Sequence, residues 1–421
     1  MQKMRKMKAS GIEWIGEIPE GWEIKYFVQL FSQVKNKNIG LCEKNLLSLS
    51  YGKIKQKSIE TVSGLLPANF EGYNIIDRND IVLRLTDLQN DQHSLRVGLS
   101  HERGIITSAY CSIRVRGAES PNYLYYYLHT FDIAKGFYGM GSGVRQGLNW
   151  DGLKYIKILL PPQHEQDRIS VFLNQKTLEI DSMLSKTISS IEEYKKLKQA
   201  VITQALTKTI YDDFGNPSKF RKLRSLCDVL SKGTTPKDIE TQNDEFYCIR
   251  YLKSENIVSN QLNLNPTFFI TAETNNSLER SKLNSGDILF VIAGASIGKV
   301  AITTADFLPA NTNQAVAFIR LSSSYQYATK YIWYFLQSDV VKQLIALSAV
   351  QSAQPNLSLE DLGAMRLPLP DQMGCLKITD YLDAKCAEID KLIAKKEQLV
   401  KELESYKKSL IYEVVTGKRE V

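Results

Sequence analysis

The second half of this 421-residue chain repeats the first half. The stretch from Leu160 to Thr207 reappears from Leu369 to Thr416, a shift of 209 residues. Identical pairs under that shift include Asp181/Asp390, Lys198/Lys407 and Ile202/Ile411. A repeat of this length means that one structural plan is used twice. It therefore predicts a molecule with two similar halves.

The repeated stretch has the spacing of a long helix. Apolar residues recur three and four positions apart in both copies. These seam residues are Ile180, Leu184, Ile191, Tyr194, Val201 and Ala205 in the first copy, and Ile389, Ile393, Val400, Leu403, Leu410 and Val414 in the second. Proline precedes each helix, and glycine or proline follows it. A single such helix could equally pack on its own domain. Two matching seams in one chain most simply bury each other, which predicts an antiparallel coiled coil with a pseudo-two-fold axis.

Each helix follows a globular segment of mixed strands and helices. Strand candidates at residues 80–83 and 287–290 lie 207 positions apart, and aromatic helical stretches at 123–128 and 331–336 lie 208 apart. The predicted fold class is α+β. Its four parts are globular domains at residues 1–160 and 213–368 and long helices at 161–212 and 369–421. The globular segments barely match between these anchors, which indicates similar tasks performed on different targets.

Composition excludes several classes of protein. No apolar run approaches the roughly 20 residues of a membrane span, and the basic N-terminus lacks the apolar centre of a secretory signal, so we expect a cytoplasmic protein without a membrane partner. The six cysteines form no metal-ligand or disulfide pattern, so we expect no metal site and free, mostly buried thiols. A net charge of +7 fits a polyanionic partner without demonstrating one.

Catalytic motifs are not found. A methyltransferase would carry a glycine-rich cofactor loop and an N/D-P-P-Y/F motif, and the nearest string, 265–267, lacks the second proline and the aromatic residue. Gly294–Lys299 differs from a P-loop, because three residues rather than four separate its glycines. We interpret it as a tight turn. The four histidines have no triad or metal-ligand spacing. The sequence favours a binding module without catalytic residues.

At several of these places the chain resembles the specificity subunit of type I restriction-modification enzymes. The resemblance covers essentially the whole chain and rests on WIGEIPEGWE (14–23), LLPPQHEQDRISVFL (159–173), SKGTTP (231–236) and GDILFVIAGASIGKVAI (286–302), in that order and with the duplication. In that family two target-recognition domains each read one half of a split DNA sequence, and the paired helices set the distance between the halves. The resemblance implies double-stranded DNA, two methyltransferase subunits and optional restriction and translocation subunits as partners.

The resemblance also implies that this chain binds no cofactor itself. S-adenosylmethionine, ATP and Mg are expected on the partner subunits. The helix start supplies three candidate partner-binding residues, Glu165, Gln166 and Arg168. The second helix has Gly374-Cys375 where the first has Glu165-Gln166.

Candidate DNA-binding residues lie in loops rich in the side chains that read bases or bind phosphate. They are Lys53, Lys55, Lys57, Arg84, Arg96, Arg145 and Gln146 in the first half, and Lys232, Thr234, Arg250, Lys253, Lys299, Gln351 and Gln354 in the second. Alternatives remain open: residues 48–57 could be a solvated edge strand, and the loops before the long helices could be hinges. A coiled-coil scaffold that binds protein rather than DNA is the alternative function. The aromatic runs are better explained by core packing than by base stacking.

Overall fold

The computed structural model describes residues 5–57, 70–88, 91, 95–140, 147–208, 219–349 and 356–421. The chain divides into two compact units. The first unit comprises residues 1–187 and 398–421, and the second comprises residues 188–397. Each unit therefore contains one globular domain together with a part of each long helix.

The first unit contains three short helices and twelve strands among its described residues. The helices are α1 (Phe27–Leu30), α2 (Pro121–Ile133) and α3 (Trp150–Leu153). The strands are β1 (Met7–Ala9), β2 (Glu17–Pro19), β3 (Glu23–Tyr26), β4 (Phe31–Gln33), β5 (Leu47–Ser50), β6 (Lys53–Gln56), β7 (Asn74–Ile76), β8 (Ile81–Leu83), β9 (Val97–Leu99), β10 (Gly104–Ile106), β11 (Cys111–Val115) and β12 (Lys157–Leu160). The long helix α4 (Gln163–Thr207) begins here and continues into the second unit.

The second unit has a similar content. Its short helices are α5 (Ala272–Ser277), α6 (Thr329–Leu336), α7 (Asp339–Ala349) and α8 (Leu359–Ala364). The strands are β13 (Phe220–Lys222), β14 (Cys227–Lys232), β15 (Tyr247–Leu252), β16 (Ile257–Val258), β17 (Gln261–Leu262), β18 (Phe269–Thr271), β19 (Ile288–Val291), β20 (Val300–Ile302), β21 (Ala310–Thr312), β22 (Val316–Leu321) and β23 (Arg366–Pro368). The long helix α9 (Gln372–Val415) begins here and ends in the first unit. The predicted mixture of helices and strands is confirmed.

A four-stranded antiparallel sheet forms the frame of each unit. Its strand order is β4-β11-β8-β9 in the first unit and β14-β22-β19-β20 in the second. A buried aspartate just before the central strand binds an arginine of the neighbouring strand through two parallel hydrogen bonds, Asp80 with Arg114 and Asp287 with Arg320. Bidentate pairs of this kind fix both side chains. The strands predicted after Asp80 and Asp287 are confirmed.

The aromatic helices α2 and α6 pack in the cores of their units. Tyr123 and Tyr331 are fully buried. The Tyr123 hydroxyl donates to the Leu159 carbonyl oxygen at 3.1 Å, and the Tyr331 hydroxyl donates to that of Pro368 at 2.6 Å. Both acceptors lie in the strand that precedes a long helix. The predicted core packing of the aromatic runs is confirmed.

The two long helices run side by side with opposite directions within each unit. In the first unit Asp181 of α4 accepts a hydrogen bond from Lys407 of α9 at 2.5 Å. In the second unit Asp390 of α9 accepts hydrogen bonds from Lys198 of α4 at 2.7 and 2.8 Å. The 209-residue shift converts one ion pair into the other. The lysine that interrupts each apolar seam is therefore half of a repeated interhelical ion pair.

The start of α9 and the end of α9 carry the expected signals. The Asp371 carboxylate caps the start by accepting from the Gly374 amide at 2.8 Å. At the end, Gly417 has a φ of +73°, a conformation that glycine adopts without strain. Among the described residues no helix is both long enough and apolar enough to cross a membrane.

All six cysteines are free thiols. The expectation of mostly buried thiols is only partly right. Cys375 and Cys386 are buried, but Cys42 and Cys248 are exposed. Burial raises the pKa of Cys375 to about 12, so this thiol is not reactive at neutral pH.

Candidate nucleic-acid interface

The candidate loops of each unit gather at one end of its four-stranded sheet. In the first unit Leu83 lies opposite both Cys111 and Val97, so the loops that follow β8 and precede β9 and β11 share this end. In the second unit Val291 lies opposite Val316, which brings the loops after β19 and before β22 together in the same way. We call this the loop end of the sheet. Strand register thus assembles the candidate interface from segments far apart in sequence.

The SKGTTP segment of the second unit is pressed against the turn before β22. A Cβ atom on Gly233 would lie 1.8 Å from the carbonyl oxygen of Thr312, so only glycine fits there. The next amide, of Thr234, donates to the same oxygen at 3.1 Å, and the Thr234 carbonyl oxygen accepts from the Tyr251 hydroxyl at 2.8 Å. Lys232 and Thr234 are exposed at this end, where phosphate or bases could reach them.

The segment 294–299 is a tight turn between β19 and β20, as predicted. Gly294 and Gly298 both have a φ of +87°. The Ile297 amide donates to the Gly294 carbonyl oxygen at 3.1 Å, and the Gly298 amide donates to that of Val291 at 2.9 Å. These amides are used within the turn and are not directed at a phosphate group. Lys299 is half-buried at the end of the turn.

Arg250 lies within β15, and Lys253 is the residue that follows this strand. Lys253 follows Leu252, which pairs with Thr312, so this lysine lies at the loop end. Its ammonium nitrogen is 3.6 Å from the centre of the Phe268 ring, a cation–π contact. Arg250 donates to the Asp306 carbonyl oxygen at 2.6 Å. One nitrogen of the Arg250 guanidinium is therefore already bound within the unit.

The long loop between β8 and β9 of the first unit is organised from inside by Arg96. The Arg96 side chain is fully buried, and its guanidinium donates to a set of loop oxygens. The acceptors are the carbonyl oxygens of Arg84, Thr86, Asp87 and Asp91 and the hydroxyl of Tyr138. The prediction that Arg96 contacts DNA is wrong for this structure, because no part of its guanidinium reaches the surface. Arg84 stays partly exposed, with Asp91 3.4 Å away.

Close to Arg96, a carboxyl group is deeply buried. Asp132 accepts a hydrogen bond from the Arg96 amide at 2.7 Å. Burial raises the pKa of Asp132 to about 6, although Arg96 acts in the opposite direction. The loop is thus anchored on helix α2 as well as on its own backbone.

The lysine-rich hairpin of β5 and β6 packs closely on β9. A Cβ atom on Gly98 would lie 2.5 Å from Cδ1 of Leu49, which shows how close the two segments are. Lys53 binds Asp181 at 3.0 Å, the same carboxylate that accepts from Lys407. Partial burial raises the pKa of Asp181, but the hydrogen bonds from these two lysines outweigh it and hold the pKa below its ordinary value.

Lys55 and Lys57 are exposed on the same hairpin, where phosphate could reach them. Four further candidates lie outside the described residues: Arg145, Gln146, Gln351 and Gln354.

The three candidate partner-binding residues at the start of α4 contact their own unit. Glu165 accepts hydrogen bonds from Arg5 at 2.6 Å and from the Trp22 indole at 2.9 Å. Gln166 is buried and donates to Glu119 at 2.7 Å, so the prediction of a partner contact by Gln166 is wrong. Arg168 is exposed, and it donates to the Val421 carbonyl oxygen.

These contacts explain the difference between the two helix starts. Glu165 is held by the segment that contains Trp22, and the residues before β13 supply no tryptophan. At the matching place in the second unit Cys375 is buried. The Glu165-Gln166 pair thus serves packing within the first unit.

Two further exposed residues lie at the loop ends, and the sequence alone does not identify them as candidates. Lys35 follows β4 in the first unit, and Gln314 lies in the turn before β22 of the second. The signals available were the alternation of lysine and asparagine in VKNKN (34–38) and the amide-rich string NTNQ (311–314). Neither string shows by itself that it lies at the loop end of a sheet.

Known proteins are similar to this chain in sequence and in fold. Residues 216–402 match the family model described as the type I restriction modification DNA specificity domain. The type I restriction enzyme EcoBI specificity subunit of Escherichia coli is 27% identical over 256 residues, which is 56% of this chain and 53% of that protein. The chain therefore aligns with about half the length of this relative.

Two further matches cover nearly the whole chain. The putative type I restriction enzyme MjaX specificity subunit of Methanocaldococcus jannaschii is 22% identical over 437 residues, 96% of this chain and 95% of that protein. A chain from a structure solved to describe complex assembly and conformational transition of the type I R-M system superposes with a TM-score of 0.70, at 14% identity, over 96% of this chain and 99% of that one. This last likeness shows the fold. Residues 216–402 therefore match the type I restriction modification DNA specificity domain, in agreement with the resemblance found in the sequence.

Proposed function

We propose that this chain is the DNA-recognition subunit of a type I restriction-modification system and that it reads an asymmetric, bipartite target. The single observation that carries this proposal is that one frame is used twice with different loops at its loop end. The Asp80–Arg114 and Asp287–Arg320 pairs belong to the common frame. The loops after β8 and β19 differ in length and construction. Two unlike loop ends on a common frame suit two unlike half-sites.

The long helices are proposed to act as the spacer between the half-sites. The repeated ion pairs Asp181–Lys407 and Asp390–Lys198 support an antiparallel coiled coil built on a pseudo-two-fold repeat. In this proposal residues 1–160 and 213–368 are the two target-recognition domains, and residues 161–212 and 369–421 are the spacer helices. Inserting about one heptad into one helix adds ~10 Å, so it should change the permitted gap between half-sites by roughly 3 bp.

The chain is proposed to contribute no catalytic group. Its role is to position two methyltransferase subunits, and optionally two restriction and translocation subunits, on double-stranded DNA in the cytoplasm. S-adenosylmethionine, ATP and Mg would bind to those partners. The family name of residues 216–402 and the names of the relatives support this division of labour.

Sequencing of methylated adenines tests the proposal. A host strain with this chain should carry a methylated motif made of two short sequences with a gap, and deletion of the chain should abolish it. Restoring the chain should restore the motif. Unchanged methylation in the deletion strain would overturn the proposal.

Salt dependence separates DNA recognition from a protein-binding scaffold. Exposed lysines such as Lys55 and Lys232 at the candidate interface should displace counterions from phosphate. Duplex binding by the assembled complex should weaken steeply between low and high salt, with a slope of about −0.9 for each phosphate contacted. A flat salt response would favour the scaffold.

A further inference from the structure

We propose that Gln314 reads an adenine in the half-site bound by the second unit and that Thr235 orients it for this purpose. The inference rests on the proposed function, and it goes further by assigning one side chain to one type of base. Gln314 lies in the turn between β21 and β22, at the loop end of the sheet, and its side chain is exposed. It was not among the residues that the sequence singled out.

The turn that carries Gln314 is fixed by two buried residues that precede it. Asn311 and Thr312, which precede it, are fully buried. The Asn311 amide group donates to the Asn275 side-chain oxygen at 3.0 Å, and the Thr312 hydroxyl donates to the Leu252 carbonyl oxygen at 2.8 Å. The backbone before Gln314 is therefore fixed to the neighbouring strand β15 and to helix α5.

The side-chain amide of Gln314 is also held by a neighbouring residue. The Thr235 hydroxyl donates to Oε1 of Gln314. Thr235 itself is placed by the close contact of Gly233 with Thr312 and by the bond from Tyr251 to Thr234. A long, flexible amide that is already oriented loses less conformational entropy when it binds.

An oriented glutamine has the hydrogen-bonding pattern that adenine requires. In the major groove adenine presents the N6 amino group as a donor and N7 as an acceptor, and one Gln amide can pair with both. A carbonyl oxygen has two lone pairs, so Oε1 can accept from Thr235 and from adenine N6 together, while Nε2 donates to N7. Lys232 and Lys253 at the same loop end would meet the flanking phosphates.

The equivalent turn of the first unit has no such side chain. It precedes β11 and runs through Thr107, Ser108 and Ala109 to Tyr110, where the Tyr110 amide donates to the Thr107 carbonyl oxygen at 3.2 Å. No carboxamide is present in this turn. The proposed adenine contact is thus specific to the second unit. A change at Gln314 must therefore alter the base preference in one half-site only.

The test uses the full complex with Gln314→Glu, which keeps the shape of the side chain but removes the donor to N7. Binding is measured on duplexes in which each base pair of each half-site is varied in turn. We expect affinity for the cognate duplex to fall roughly tenfold or more, because a bidentate base contact is lost. We also expect relaxed or cytosine-shifted preference at one A·T position of the second unit's half-site, since a carboxylate accepts from the cytosine amino group.

Matched variants separate this role from a general effect of charge or folding. Gln326→Glu makes the same change on an exposed residue beyond the opposite end of β22, and it should leave every position unchanged. Thr235→Val removes only the orienting hydroxyl and should weaken discrimination at the same A·T position, whereas Thr235→Ser should restore it.

The result that would overturn the inference is unchanged preference at every position in the Gln314→Glu complex, or relaxation at a position occupied by G·C. Either result would leave the proposed function intact if the wild-type complex still methylates a bipartite motif. Loss of that motif in the wild-type complex is a failure of the proposed function instead.

Discussion

The loop ends of the two units are built in opposite ways on the same frame. In the first unit the loop after β8 is long, and the buried guanidinium of Arg96 binds its carbonyl oxygens from inside. In the second unit the loop after β19 is a short turn that relies on Gly294 and Gly298 at positive φ. The frame itself hardly differs, since each sheet keeps its bidentate Asp–Arg pair. The difference shows that the residues common to both halves hold the sheet. In the proposed function, recognition depends on the residues that differ.

In contrast to the loop ends, the long helices are nearly the same in both units. Asp181 and Asp390 occupy equivalent positions, and each binds a lysine of the other helix. One difference remains. Asp181 also binds Lys53 of the β5–β6 hairpin, so the helix pair is tied to a candidate DNA-binding element in the first unit.

The largest effect is expected for Arg96→Met. Removing the guanidinium leaves several buried loop oxygens without a donor, each at a cost of about 1–3 kcal/mol, so we expect the first unit to lose about 3 kcal/mol or more of stability. Recognition of the first half-site should be lost while the second half-site is still read. Thermal unfolding and the methylated motif measure the two effects. Arg116→Met, at an exposed residue of the same unit, is the control, and equal behaviour of both variants would contradict this account of the loop.

Gly233→Ala makes the corresponding change in the second unit. The new Cβ atom would lie 1.8 Å from a backbone oxygen, so the SKGTTP segment must move away from the turn before β22. We expect a loss of roughly 2 kcal/mol and weakened reading of the second half-site alone. Gly72→Ala, where a Cβ atom would meet nothing within 4 Å, should change neither property. A Gly233→Ala complex with the wild-type motif would show that this close contact does not shape the interface.

A pH effect should distinguish the units. His129 of the first unit is buried, and burial lowers its pKa to about 4, with help from Lys407 and Lys408. The position 208 residues later is Gln337, which does not titrate. Below pH 6.5 the unfolded chain takes up a proton on His129 that the folded unit does not, so His129 alone should lower the stability of the first unit by about 1.6 kcal/mol between pH 6.5 and pH 5. Asp132 of the same unit has a pKa raised to about 6 and acts in the opposite direction over this range, so the effect of His129 is measured against a variant at this position.

The variant His129→Gln makes the first unit resemble the second at this position. The stability difference between wild type and variant, measured by denaturant unfolding at several pH values, should shrink or reverse as the pH falls. A difference that stays constant from pH 7 to pH 5 would mean that His129 does not titrate in this way.

The smallest effect concerns the interhelical ion pairs. These pairs are partly exposed, so each should contribute less than about 1 kcal/mol. Asp181→Asn should cost more than Asp390→Asn, because Asp181 binds two lysines and Asp390 binds one across the helices. Double-mutant cycles with Lys407 and Lys198 give the coupling energies, and adding salt should reduce both. Equal costs would mean that the Lys53 contact contributes nothing.

Much of the frame could be predicted because its signals are local or repeated. The aspartates before β8 and β19 and the aromatic residues of α2 and α6 keep their spacing between the halves, and each pattern predicts the observed element. The lysine within each seam was visible as a repeated irregularity. Its aspartate partner was also repeated, but the pairing follows only from the antiparallel register of the helices.

The contacts of the loop side chains could not be predicted from the sequence, for a physical reason. A charged side chain in a loop ordinarily lies at the surface, so the sequence predicts that Arg96 contacts DNA. The enclosed backbone oxygens of its own loop instead make burial of Arg96 favourable. The same reason applies to Gln166, which is buried against Glu119. Gln314 does not stand out in the sequence, because its partner, Thr235, comes from a segment 79 residues earlier that strand pairing brings alongside. Such contacts depend on tertiary structure and leave no spacing in the sequence.

Exchange of one unit's globular domain tests whether each unit reads its own half-site. Residues 219–368 would be replaced by the matching segment of another specificity subunit that reads a different target, and the methylated motif would be sequenced in the host. We expect a new second half-site, with the first half-site and the gap unchanged. A motif altered in both halves would contradict the claim that the two units read DNA separately.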